Sequence, residues 1–90
     1  MNLEAKEAVG LAKHWLANLY SEERIEDIGL EEVRWNAGAW EITLGFSRPW
    51  DTVLGYSLGF RAPPKDRTYK VVIVSDADKS VIEMRNREAA

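Results

Sequence analysis

Apolar positions recur every three or four residues at the start of the chain and every second residue from about residue 28 onward. Between residues 3 and 20, Ala5, Ala8, Val9, Ala12, Leu16 and Leu19 form one stripe that Trp15 widens, with Lys6, Glu7, Lys13 and Asn18 opposite. That period predicts an amphipathic helix, and the many Ala and Leu residues suit it. Gly10 costs about 1 kcal/mol there relative to Ala. On a packing face its small size would admit a closely placed sheet, so the helix is read as unbroken. Asn2 is the expected N-cap, because its side chain can accept a first-turn amide.

The period of two first appears in a short strand at 30–35, with Val33 and Trp35 on one side and Glu32 and Arg34 on the other. Asn36-Ala37-Gly38 signals a tight turn, since Asn and Gly tolerate positive φ. The next strand, 39–46, alternates Trp40, Ile42, Leu44 and Phe46 with Glu41, Thr43 and Gly45. Its four large apolar residues are the expected sheet face beneath the helix. A β-branched run at 68–74 and a strand at 80–85 flank the turn Asp76-Ala77-Asp78-Lys79, making a second hairpin. Residues 47–67 are bounded by Pro49 and by Pro63-Pro64. Within them 53–60 alternates like a strand but carries two glycines, so it reads either as a fifth, bent strand or as a long connection. The fold class is therefore α+β: one N-terminal helix packed on an antiparallel sheet of four or five strands.

Ninety residues suffice for one domain, 1–90, with a modest core. A chain without Cys has no disulfide, thiol nucleophile or thiolate metal site. No apolar run approaches the roughly 20 residues a membrane-spanning helix needs. The opening residues lack the apolar segment of a secretory signal, so the default expectation is a cytoplasmic protein. A net charge of −3 argues against a dedicated nucleic-acid binder.

The closing stretch Tyr69 to Asn86, YKVVIVSDADKSVIEMRN, and the order helix, hairpin, hairpin resemble PepSY-type and, more broadly, cystatin-like small domains. The Ala-rich helix fits as well. This chain departs from the pattern in having Lys79 where PepSY-type turns usually carry Gly, and in its aromatic insertion at 47–67. The Gln-x-Val-x-Gly loop of protease-inhibiting cystatins is not found, so that activity does not carry over. The resemblance implies a non-catalytic binding or inhibitory module with no particular partner.

Several residues invite chemistry and are better explained otherwise. His14 is the only histidine, and no nucleophile-elbow sequence accompanies it, so no catalytic residue is assigned. Asp76, Asp78 and Ser80 open like a calcium loop, but position six is Val81 and position twelve is Arg87. A hairpin turn whose aspartates bond local amides accounts for them. No metal and no cofactor are assigned. Residues 22–32 hold six acids relieved only by Arg24, a solvated connection or an electrostatic face for a basic partner. Arg61, Lys65, Arg67 and Lys70 form a smaller basic group able to pair with it.

The aromatics carry the functional signal, nine rings of which four are Trp. Core packing accounts for Trp15, Trp35, Trp40, Phe46 and Tyr69. Trp50, Tyr56 and Phe60 lie instead in the Pro-bounded insertion, beside Arg48 and Arg61. Clustered Trp, Tyr and Arg are the residue types that anchor protein interfaces. Arg48, Trp50, Tyr56, Phe60 and Arg61 are thus the candidate partner-binding residues. The sequence favours a small non-enzymatic protein-binding module, an inhibitor, immunity or regulatory protein, which meets a protein partner or a second copy of itself. The alternative is a small-ligand binder with a pocket between helix and sheet lined by Trp15, Trp35 and Trp40.

Overall fold

The computed structural model describes residues 2–48 and 67–87. The described chain runs α1 (Ala5–Leu19), β1 (Glu26–Asn36), β2 (Ala39–Ser47), β3 (Thr68–Ser75) and β4 (Ser80–Asn86). The strands pair antiparallel in the order β1-β2-β3-β4, so among the described residues β2 and β3 are central and β1 and β4 are the edges. This is the expected α+β layout with four strands. The proposed fifth strand, 53–60, lies outside the described residues.

The helix covers one face of the sheet. Ala8, Ala12 and Leu16 are buried against Trp40, Ile42, Leu44 and Phe46 of β2 and Val72 and Val74 of β3. Full burial of a large aliphatic or aromatic side chain contributes about 1.5–3 kcal/mol, so this layer dominates the stabilising side of folding. The stripe differs from the expected one at its ends. Leu19 is 52% exposed because α1 stops there. Tyr20, the C-cap, takes its place, with its ring centroid 5.3 Å from that of Phe46. Gly10 is exposed, and a Cβ built on it would meet nothing within 4 Å. Close approach of the sheet therefore does not explain this glycine.

Asn2 is not the N-cap. Glu4 holds that position, and its backbone N–H donates to the Glu7 carboxylate at 3.1 Å. Asn2 and Leu3 donate their backbone N–H groups instead to Asp76, at 2.6 and 2.8 Å. That carboxylate tethers the segment leading into α1, which bends at Leu3, and the helix begins at Ala5, two residues later than the periodicity predicts.

Both hairpin turns lie where expected, but different residues absorb the strain. Asn36 pairs with Ala39 inside the ladder, and its side chain donates to Glu41 at 2.7 Å. The positive φ values belong to Ala37, at 47°, and Gly38, at 84°. Those signs match the two-residue turn that suits the twist of a hairpin. In the second turn Lys79 adopts φ 53°, and its N–H donates to Ser75 O at 2.8 Å. Asp78 behaves as a local turn residue, its N–H donating to Ser75 Oγ at 3.2 Å. Asp76 does not, since both of its backbone donors lie at the other end of the chain.

Candidate functional site

The described residues on either side of 49–66, the part of the insertion 47–67 that lies outside the described residues, meet at one end of the sheet. Phe46 pairs with Thr68, and Glu26 of β1 pairs with Ser47. The C-terminus of α1 arrives at the same end, as the contact of Tyr20 with Phe46 shows. An arginine stands at each margin of the insertion, one on either face of the sheet.

Arg48 follows β2 and is half-buried. Its guanidinium carbon lies 5.8 Å from the Tyr20 ring centroid and 5.7 Å from that of Phe46. A cation in that position is attracted to the negative faces of both rings, each contact contributing about 0.5–1 kcal/mol when partly exposed. Of the five residues proposed to bind a partner, Arg48 is the one described. Trp50, Tyr56, Phe60 and Arg61 lie outside the described residues.

Arg67 precedes β3 on the opposite face. Its side chain crosses β2 and donates from Nη2 to the backbone carbonyl of Asp27 in β1 at 2.7 Å. Two facing glycines, Gly29 and Gly45, clear its path. A Cβ on Gly45 would stand 3.1 Å from Arg67 Nε and 2.9 Å from Tyr69 Cε1. The Tyr69 ring thus covers the bare backbone of Gly45, as aromatic side chains do when they shield a strand glycine. Asp27 itself sits at φ 55°, within an irregularity between Glu26 and Gly29. Arg67 therefore fixes a bulged part of β1 as well as the margin of the insertion.

The acidic run divides between two settings. Glu22 and Glu23 belong to the exposed connection after α1, whereas Glu26, Asp27, Glu31 and Glu32 lie within β1. Glu32 pairs with Arg34 at 3.7 Å and with Arg87 at 3.4 Å. On the same open face Arg85 reaches Glu41 at 3.4 Å and Glu83 at 3.7 Å. Of the basic group, Arg67 meets a carbonyl in the acidic run rather than a carboxylate. Lys70 donates to Asn86 across β3 and β4. Arg61 and Lys65 lie outside the described residues.

At the far end of the sheet Asp76 is the principal polar group. Its carboxyl is held below the usual carboxylate range, chiefly by the Asn2 amide. Burial opposes this, while the Leu3 amide and the chain N-terminus reinforce it. The nearby Trp40 indole contributes least, and its buried Nε1 has no regular hydrogen-bond acceptor among the described residues. Asp76 N–H also donates to Gly38 O at 3.2 Å, so one residue joins the chain start to both hairpin turns.

The three tryptophans considered for a ligand pocket have separate settings. Trp40 is buried in the core and Trp15 is half-buried against it, but Trp35, expected in the core, is 41% exposed on β1 and packs only edge-on to Trp40, with centroids 5.0 Å apart. An open groove of about 450 Å³ lies elsewhere, lined by Leu3, Glu7, Gly10, Leu11, His14 and Lys79. No group of three or more His, Asp or Glu side chains among the described residues is arranged to hold a metal ion. Among these residues no helix is long and apolar enough to cross a membrane. Comparison of the chain with protein-family models, curated proteins and solved structures finds no match.

Proposed function

We propose that this chain is a small non-enzymatic protein-binding module, of the inhibitor, immunity or regulatory kind, whose recognition surface is the insertion bearing Trp50, Tyr56 and Phe60. The observation that carries this reading is the pair of arginines at its margins. Arg48 lies over Tyr20 and Phe46 on one face, and Arg67 spans Gly45 to reach Asp27 on the other. Binding energy concentrates in a few aromatic and arginine anchors, and a firmly held base lowers the ordering cost of presenting them. The packing of Trp15 against the core, with Trp40 buried in it and Trp35 lying on Trp40 at the surface, favours this reading over a ligand pocket lined by those rings. The resemblance to PepSY-type and cystatin-like domains points the same way.

The test is a tagged pull-down from source-cell lysate with mass spectrometry. Wild type is compared with a Trp50→Ser, Tyr56→Ser, Phe60→Ser variant shown by circular dichroism to remain folded. A protein retained by the wild type and lost by the variant supports the reading. Equal retention by both forms removes the insertion from recognition.

A further inference from the structure

Two residues that weaken the fold locally line one groove. Gly10 holds an exposed helix position, where glycine lowers stability and a Cβ would meet nothing within 4 Å. Lys79 holds φ 53° in the turn between β3 and β4, a conformation that favours glycine. Neither residue gains packing in return, since both are exposed. Both face the open groove of about 450 Å³ beside α1, together with the apolar Leu3 and Leu11. Departures from local preference of this kind are expected at functional sites. The groove also carries two opposite charges. Glu7 accepts the Glu4 N–H with Oε1 at 3.1 Å, and its Oε2 has no partner among the described residues. The Lys79 ammonium makes no ion pair among the described residues, with Glu7 or any other carboxylate.

We infer that this groove binds a free α-amino acid with an aliphatic side chain. Its ammonium lies beside Glu7, its carboxylate beside Lys79, and its side chain over Gly10 against Leu3 and Leu11. The two charges select a zwitterion, because a simple carboxylate would meet the like charge of Glu7 and a simple amine that of Lys79. The apolar wall selects the hydrocarbon side chain, since a hydrophilic one would leave Leu11, 37% exposed, uncovered. A groove of this size suits a small molecule, whose sites span about 300–1,000 Å³. The glycine at position 10 keeps that space open, and the lysine at position 79 supplies the cation that a glycine there would lack. Asp76 fixes Leu3 in the groove from the end of the sheet opposite the insertion. The inference therefore does not rest on the insertion as a recognition surface.

The probe is leucine, titrated into the full chain while backbone amide resonances are followed. Isocaproate, which lacks its ammonium, isoamylamine, which lacks its carboxylate, and serine, which lacks its hydrocarbon branch, are the controls. The expected result is a saturable shift at Gly10, Leu11 and Lys79 with leucine, and at least about tenfold weaker binding of each control. Gly10→Leu, which fills the groove, and Lys79→Gly, which removes the cation, should each weaken leucine binding at least about tenfold. Both variants should also unfold at a higher temperature than wild type, which separates loss of the site from loss of the fold. Glu7→Gln, which keeps an acceptor for the Glu4 amide and drops the charge, should weaken binding as well. No saturation up to roughly 1 mM leucine, equal binding of isocaproate or serine, or unchanged binding by Gly10→Leu would overturn the inference. So would shifts of the groove resonances by the protein recovered in the pull-down and not by leucine. The Trp50→Ser, Tyr56→Ser, Phe60→Ser variant should bind leucine as wild type does, so failure here and failure of the insertion are read separately.

Discussion

Asp76 Oδ1 accepts the backbone N–H of Leu3 at 2.8 Å, across 73 positions of sequence. With the Asn2 amide on Oδ2, this carboxylate fixes the start of the chain against the end of β3. Leu3 is thereby buried with the core, directly before α1 begins.

The Asp76 pair of hydrogen bonds makes stability depend on pH. The folded protein holds this carboxyl below its ordinary 3.8, so the unfolded chain takes up the proton first as the solution is acidified. The contribution is fully present above the unfolded value, begins to fall near pH 4, and is lost once pH drops through the lower folded value. Asp76→Asn, which keeps one acceptor and no charge, should unfold at a lower temperature than wild type at pH 7. That gap should narrow steadily below pH 4. A gap of constant size from pH 7 to pH 2.5 in thermal unfolding contradicts the assignment.

Gly45 predicts a steric asymmetry between two paired glycines. Gly45→Ala places a methyl 2.9 Å from Tyr69 and 3.1 Å from Arg67, whereas the same change at Gly29 meets Arg67 Nη2 at 3.4 Å. Overpacking of that kind costs about 1–3 kcal/mol, so Gly45→Ala should lower the urea midpoint clearly. Gly29→Ala should stay within about 0.5 kcal/mol of wild type. In a Tyr69→Ala background the Gly45→Ala penalty should shrink, since the ring is the main obstacle.

The two turns contain stability that the sequence does not exploit. Ala37 and Lys79 hold positive φ with ordinary side chains. A left-handed conformation costs an L-residue roughly 1–2 kcal/mol, part of which Gly or Asn avoids. Ala37→Asn, which creates Asn-Gly at the turn, and Lys79→Gly should each raise the unfolding free energy by about 0.5–1 kcal/mol. Chemical denaturation checks this, and a loss of stability in both would contradict the turn geometry.

These cases show what was legible in the sequence. The period of two in Trp40, Ile42, Leu44 and Phe46, and the spacing of Ala8, Ala12 and Leu16, reported the core directly, because burial acts on every repeat. The start of β1 was hidden. Its irregularities near Asp27 and Glu31 break the alternation, and its acids read as a solvated connection. Asn36 and Gly38 marked the first turn correctly, although Ala37 rather than Asn36 absorbs the strain. The bonds from Leu3 to Asp76 and from Arg67 to Asp27 join distant segments, and no local pattern announces a contact of that kind. For the insertion margins, Arg48 beside aromatic residues was a visible signal, while the Gly29 and Gly45 track for Arg67 emerges only once the strands are in register.

The most direct measurement of the central claim is the affinity of the partner recovered by pull-down, titrated as a purified protein against three forms of this chain. The forms are wild type, the Trp50→Ser, Tyr56→Ser, Phe60→Ser variant, and His14→Ala, a change on the exposed face of α1. The account predicts that loss of the three rings weakens binding at least about 100-fold, equivalent to about 2.8 kcal/mol, as expected of interface anchors. His14→Ala should bind as wild type does. Equal affinity of the wild type and the three-ring variant would contradict the claim that the insertion is the recognition surface.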